Sequence, residues 1–195
     1  MRKNIAKGMV FTALFAALSA ASGFLSFPLP GTPIPIVLQN MMTVLSGLIL
    51  GPGLGTASTA FFVTAGLLGL PVFNGGTGGL AKLMGPTGGF IIGYALASLT
   101  AGLVAGKPRT GRDIRLVRII LASLPAYVVM YIPGVIHFMR SLDKTFGETM
   151  AMCVLPYLPG DALKMVLGVL IARPLRRTVA QMVFGDEEGD FKEDV

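Results

Sequence analysis

The chain has 195 residues, 53% of them hydrophobic and only 13% charged, with a formal net charge of +6 and a mean hydropathy of +0.73. Soluble domains carry about 25% charged residues, and here the deficit is concentrated: no Asp, Glu, Lys or Arg occurs from residue 8 to residue 81, nor from 83 to 106. Such stretches leave no charged surface to cover a water-facing fold, which excludes a soluble globular domain, and basic residues clustered between apolar segments read as membrane loops rather than a nucleic-acid surface.

A helix needs about 20 mostly apolar residues to cross the hydrocarbon core, so the charge-free stretch must be divided, and Pro and Gly mark the divisions. The first span is read at 8–27. Arg2, Lys3 and Lys7 ahead of it give it the outline of a signal peptide, but further spans follow and it is read as uncleaved. Spans two and three are read at 35–50 and 54–70, separated by the Gly-Pro-Gly of 51–53. A Gly-rich loop, 71–85, leads to a span at 86–105, a basic loop at 106–116, and spans at 117–137 and 149–172 around the loop 138–148. The expected fold class is all-α, a polytopic membrane protein whose residues 1–185 form six transmembrane helices in one bundle. The acidic tail 186–195 is read as a disordered appendage.

Six spans put both termini on one side, and the basic residues test that arrangement. The segments on the side of the termini hold Arg2, Lys3, Lys7, Lys107, Arg109, Arg112, Arg115, Arg173, Arg176 and Arg177, against Lys82, Arg140 and Lys144 on the other side. By the positive-inside rule this orients the N and C termini to the cytoplasm.

Polar groups within the spans are few. Asp161 and Lys164 interrupt the sixth span three residues apart and so share a helix face. Each charge would cost about 3 kcal/mol facing lipid, so both are expected to face the interior or a water-filled cavity. They form either a structural pair or a functional site, and ionisable residues inside a membrane favour the second. Pro156 and Pro159 place the start of the regular helix near Gly160, with Asp161 at its dipole-favoured N-terminus. The loop 69–93 holds Asn74 and Lys82 among glycines; it is either a ligand-approaching loop or a plain connector. Gln39 and Asn40 in the second span are expected to bond between helices, with ligand contact a secondary role. In the first span Ala13, Ala17 and Ala21 repeat at intervals of four, as do Ala16 and Ala20, a small-residue pattern that lets helices approach closely.

No phosphate-binding Gly-x-x-x-x-Gly-Lys-Ser/Thr occurs, so the chain carries no recognisable means of hydrolysing ATP. A single cysteine, Cys153, permits neither an internal disulfide nor a cysteine metal site. No cofactor is expected. The residues leave three readings: a substrate-capture subunit, a self-sufficient transporter or channel using Asp161 as an ion site, and an intramembrane enzyme, for which no nucleophile or metal centre is visible.

Five motifs in order carry a resemblance: Pro33-Ile-Pro-Ile-Val-Leu-Gln39, Gly47-Leu-Ile-Leu-Gly-Pro52, Gly66-Leu-Leu-Gly-Leu-Pro-Val-Phe73, Gly85-Pro-Thr-Gly-Gly89 and Pro159-Gly-Asp-Ala-Leu-Lys164. Together they resemble the BioY family, the biotin-binding S components of energy-coupling-factor transporters, over residues 13 to about 173. The resemblance implies a six-helix membrane protein that captures biotin from outside and depends on a transmembrane T component and two ATPases for energy. It implies Asp161, Lys164 and Asn74 as biotin ligands, with Lys82 the nearest candidate for an additional basic ligand. It also implies that the Ala13, Ala16, Ala17, Ala20 and Ala21 pattern of the first helix meets the T component. A further alternative within this reading is an S component for a different vitamin.

Overall fold

The computed structural model describes residues 2–110 and 114–185, so Arg112 and the acidic tail lie outside the described residues. Its helices are α1 (Arg2–Ser22), α2 (Gln39–Leu67), α3 (Ala81–Met84), α4 (Gly88–Ala105), α5 (Leu116–Leu142), α6 (Phe146–Cys153) and α7 (Leu158–Val179), which continues into a π-helical turn, α8 (Ala180–Phe184). A two-residue antiparallel ribbon, β1 (Ser26–Phe27) with β2 (Ile36–Val37), closes the loop between α1 and α2.

Among the described residues, four helices are long and apolar enough to cross a membrane, and α6 with α7–α8 forms a fifth, bent by 53°. The count becomes six at α2, which is a hairpin and not one rod. Gly51 has φ 80° and ψ −177°, outside helical geometry, in a left-handed region where side chains are strained. Pro52 follows as the first residue of the second arm, where its missing N–H costs nothing. The side chains prove the reversal. Ser46 Oγ lies 3.0 Å from Thr59 Oγ1 and 3.2 Å from the Gly55 carbonyl, whereas thirteen residues of straight helix would separate the first pair by about 20 Å. The two arms, 39–50 and 52–67, therefore correspond to the expected second and third spans.

The first arm is the buried axis of the bundle. Nearly every residue from Gln39 to Leu50 is buried, and at twelve residues it rises only about 18 Å, too short to face lipid alone. It can be short because neighbours surround it and satisfy the chain beyond its ends. Gly47 permits this: a Cβ there would collide with the Ser98 carbonyl of α4. Ser46 also reaches Ser98 Oγ at 3.0 Å, so a cluster of paired hydroxyls joins both arms to α4. Phe15, Phe62, Ile91, Tyr94, Met130 and Val169 pack around its Val44, Leu45 and Leu48 as the main core.

The opposite surface is apolar. Leu96, Leu103, Leu121, Val128, Ile132, Leu163, Leu167 and Leu170 are exposed, which in water would be a liability and in lipid is the required outer face. The chain is a multi-pass membrane protein. At one end of the bundle, α1 meets α8, with Gly8 beside Val183, so the first and last described helices share that end.

Three expectations need adjustment. α1 runs from Arg2 to Ser22 and stops short of the expected 27, because the chain turns at Gly23 and Ser26–Phe27 pair with Ile36–Val37 as β1. α5 extends five residues past 137, to Leu142, where Asp143 ends it in a left-handed conformation. The regular helix of the last span begins at Leu158, with Pro159 in its first turn, two residues before the expected start.

Candidate functional site

At the end away from the termini, a cavity holds about 590 Å³ of space between its walls, its open mouth included. Small-molecule sites usually enclose about 300–1,000 Å³. Its apolar walls come from Ile34, Phe73, Phe90, Ile91, Tyr94 and Met130, and its polar groups are Gln39, Asn40, Asn74, Tyr131, Asp161 and Lys164 among others.

One cluster dominates it. Asp161 and Lys164 share a face of α7, and Lys164 Nζ lies 2.9 Å from Asp161 Oδ1. Asn40 Nδ2 donates to the same oxygen at 2.9 Å, and Tyr131 of α5 donates to Oδ2 at 2.6 Å. Lys164 also donates to Asn40 Oδ1 at 3.2 Å. Asp161 is 6% exposed and Lys164 7%, so the pair is desolvated and stands only because each charge is both neutralised and hydrogen-bonded.

Counting the remaining capacity shows what the cluster can still do. A carboxylate offers about four lone-pair sites and an ammonium three donors. Asp161 Oδ1 accepts twice and Oδ2 once, leaving one acceptor. Lys164 donates twice, leaving one donor. The cavity thus presents an acceptor beside a donor, fixed by residues from three helices.

The Gly-rich loop holds Asn74 in a tight turn. Phe73 N–H donates to the Thr77 carbonyl at 2.8 Å and Gly76 N–H to Phe73 at 3.0 Å. Phe73 anchors this turn in the core, edge-on to Phe62 with ring centroids 5.7 Å apart. Asn74 lines the cavity, and its side-chain amide makes no hydrogen bond with the described residues. The segment is therefore a positioned wall and not a plain connector.

The other sequence candidates separate. Gln39 lines the cavity, but its amide donates to the Ser19 carbonyl at 3.2 Å and the Val72 carbonyl at 2.7 Å, tying α1 to the Gly-rich loop. Its neighbour Asn40, one helical step away, is the one that joins the cluster. Lys82 lies on α3 outside the cavity lining, half-buried, where desolvation lowers its pKa from the usual lysine value. On α1, Ala13, Ala17 and Ala21 are exposed, whereas Ala16 is 4% exposed in the core and Ala20 half-buried. Three residues turn a helix by about 300°, so the 16/20 stripe is rotated inward from the 13/17/21 stripe; Ala16 is a packing residue and not an outward one.

Sequence reasoning missed Tyr131 altogether and gave Asn40 chiefly an interhelical role, which its bond from α2 to Asp161 on α7 carries out inside the cavity cluster. A tyrosine midway along an apolar span is the one signal Tyr131 offered. Tyr157 was missed too: its hydroxyl donates to the Ile34 carbonyl and lies 3.3 Å from Thr32 Oγ1, tying the loop before α2 to the bend between α6 and α7.

The comparisons agree with this architecture. The model of the BioY family matches residues 1–181. A probable biotin transporter BioY of Pyrococcus horikoshii is 36% identical over 171 residues, covering 88% of this chain and 97% of that protein. A biotin transporter BioY of Rhodobacter capsulatus is 34% identical over 184 residues, covering 90% and 94%. Among solved structures, a crystal structure of the S-component for biotin from an ECF-type ABC transporter superposes with a TM-score of 0.81 at 28% identity, covering 91% of this chain and 94% of that one. A hairpin-broken second helix, a bent last span and a polar cluster under a loop-lined cavity are thus set in a chain that belongs to the BioY family.

Proposed function

We propose that this chain is the substrate-binding component of a biotin uptake transporter: it captures biotin in the cavity around Asp161 and Lys164, and hands it to a transmembrane T component driven by two ATPases. The buried Asp161–Lys164–Asn40–Tyr131 cluster carries the reading, with support from the biotin-named relatives and structural neighbour.

Biotin's ureido ring presents an N–H donor beside a C=O acceptor, which complements the free acceptor on Asp161 and the free donor on Lys164. These two groups are adjacent, so both engage the same end of the ligand. Asn74, with an uncommitted amide, can donate and accept at a second point. The apolar walls take the sulfur-containing ring and alkyl chain. An analogue without the ureido N–H would leave Asp161's acceptor unpaired in a desolvated site, which makes the cavity selective. Gln39 shapes this site chiefly by holding α1 and the Gly-rich loop together, and Lys82 joins it only if α3 moves.

In the proposed orientation the termini are cytoplasmic and the cavity opens outward, in keeping with the excess of Lys and Arg on the side of the termini. The outward stripe of Ala13, Ala17 and Ala21 is the proposed contact with the T component.

The test is calorimetric titration of biotin into the detergent-purified chain, after a denatured portion has been checked for co-purified ligand. Saturable one-site binding without partner or nucleotide is expected. No binding, with no biotin released on denaturation, would return the question to another vitamin or to a gradient-driven transporter.

A further inference from the structure

At the end of the bundle shared by α1 and α8, a second concavity opens between α4, α5 and α7. It holds about 1,080 Å³ of space, open side included, and its wall carries Lys107, Arg109, Arg115, Arg118 and Arg176 without a carboxylate among the described residues. Four of these cations are exposed. Arg118 is steered into place by a bond from Nε to the Val104 carbonyl at 2.9 Å, and Arg176 is 6% exposed beneath them. The described acidic residues, Asp143, Glu148 and Asp161, all belong to the cavity end. Like charges gathered in one concavity repel one another, and a bound anion relieves that repulsion.

The depth of the cleft names the anion. Leu103, on α4, is 62% exposed, and Val117 and Leu121, on α5, are 64% and 57% exposed. These apolar side chains border the cations on the lipid side, within a helical turn or two, so the guanidinium groups stand at the boundary where hydrocarbon gives way to headgroups. Basic pockets between membrane helices at this level suit acidic lipid headgroups. Guanidinium forks can meet the two non-ester oxygens of a phosphodiester in pairs.

We propose that this cleft holds the phosphodiester of an anionic phospholipid from the leaflet on the side of the termini, its acyl chains lying along Leu103, Val117 and Leu121. The bound lipid would offset one of the five positive charges and screen Lys107, Arg109, Arg115 and Arg118 from one another across the ends of α4 and α5.

Native mass spectrometry of the full-length protein, with phosphatidylglycerol and phosphatidylcholine of identical chains, tests this. Phosphatidylglycerol should be retained at a defined stoichiometry with at least tenfold preference. Arg115→Gln/Arg118→Gln should erase that preference, as should Lys107→Gln/Arg109→Gln, which changes the loop alone and guards against a folding defect in the first variant. Arg140→Gln/Lys144→Gln removes the same charge at the opposite end and should retain the preference. Equal loss in that control would overturn the proposal in favour of general charge attraction, and so would absence of any preference. Displacement of the lipid by millimolar inorganic phosphate would overturn the lipid assignment in favour of a soluble anion. Lipid binding that emerges only after Asp186→Asn/Glu187→Gln/Glu188→Gln would overturn it in favour of the chain's own acidic residues.

Discussion

The two ends of the bundle each bury charge, and they do so in opposite ways. At the cavity end, Asp161 and Lys164 neutralise one another and are held by Asn40 and Tyr131. At the other end, Arg176, equally buried, meets no carboxylate among the described residues. It donates to the Leu48 carbonyl, to Ala105 O at 3.1 Å and to Gly106 O at 2.6 Å. Those carbonyls lie at the C-terminal ends of the first arm of α2 and of α4, where the last turns have no intrahelical partner. Burial alone therefore does not mark a candidate binding site; leftover hydrogen-bonding capacity in a cavity does. Arg176 spends its donors on backbone and staples the helix ends, whereas the Asp161 cluster keeps an acceptor and a donor in reserve.

The largest effect expected from this contrast is on stability. Arg176→Met should leave three buried or half-buried carbonyls unpaired and cost about 3 kcal/mol or more. A marked drop in the thermal unfolding midpoint in detergent, with biotin affinity of the surviving folded protein unchanged, is the expected result. A variant as stable as the parent would mean that water from the adjacent cleft serves those carbonyls equally well, and the staple would be lost as a concept.

Asp161→Asn should do the reverse, weakening biotin binding by about 2 kcal/mol or more while the protein still folds. Lys164 keeps Asn40 Oδ1 as a partner, which limits the structural damage. If calorimetry returned normal affinity and the unfolding midpoint fell instead, the pair would be a structural element like Arg176.

Sequence legibility followed the same division. Spans were readable because lipid demands apolar length, and the break at Gly51-Pro52 because a positive φ followed by a helix-starting proline leaves a local signature. The Asp161–Lys164 pair was readable because its spacing is local. Asn40 lies 121 residues from Asp161, and no local pattern announces that they meet; likewise Tyr131 becomes part of the site only through the packing of α5 on α7. Lys82 shows the same limit, since it is near Asn74 in sequence yet lies on α3 outside the cavity wall. Arg176 was counted with the basic loops because the positive-inside rule weighs charges by position along the chain and is blind to burial. The ribbon of β1 and β2, two residues per strand, was too short to leave a periodic trace.

Tyr131→Phe sharpens the comparison at smaller scale. It removes one hydrogen bond to Asp161 Oδ2 but keeps the ring, which stands edge-on to Phe90 with centroids 5.8 Å apart. Because the lost group only positions the carboxylate, binding should weaken by about 1 kcal/mol, roughly fivefold. Calorimetry with biotin measures it directly. A loss as large as that of Asp161→Asn would mean that Tyr131 itself touches the ligand.

The smallest effect on the chain itself is expected on the outer face of α1. Ala17 is exposed between Leu14 and Leu18, which are 48% and 41% exposed, so Ala17→Leu adds one more apolar side chain to a surface that already faces lipid. Neither the unfolding midpoint nor the affinity for biotin should move. Assembly with the T component, followed by co-purification, should nevertheless fail, because a close helix approach tolerates no branched side chain at its contact point. Intact assembly would take the 13/17/21 stripe out of the interface. It would leave the first helix as a plain lipid-facing span whose small residues are there only to be small. Loss of both assembly and stability would point to a packing defect within the bundle, as expected of the inward Ala16 but not of Ala17.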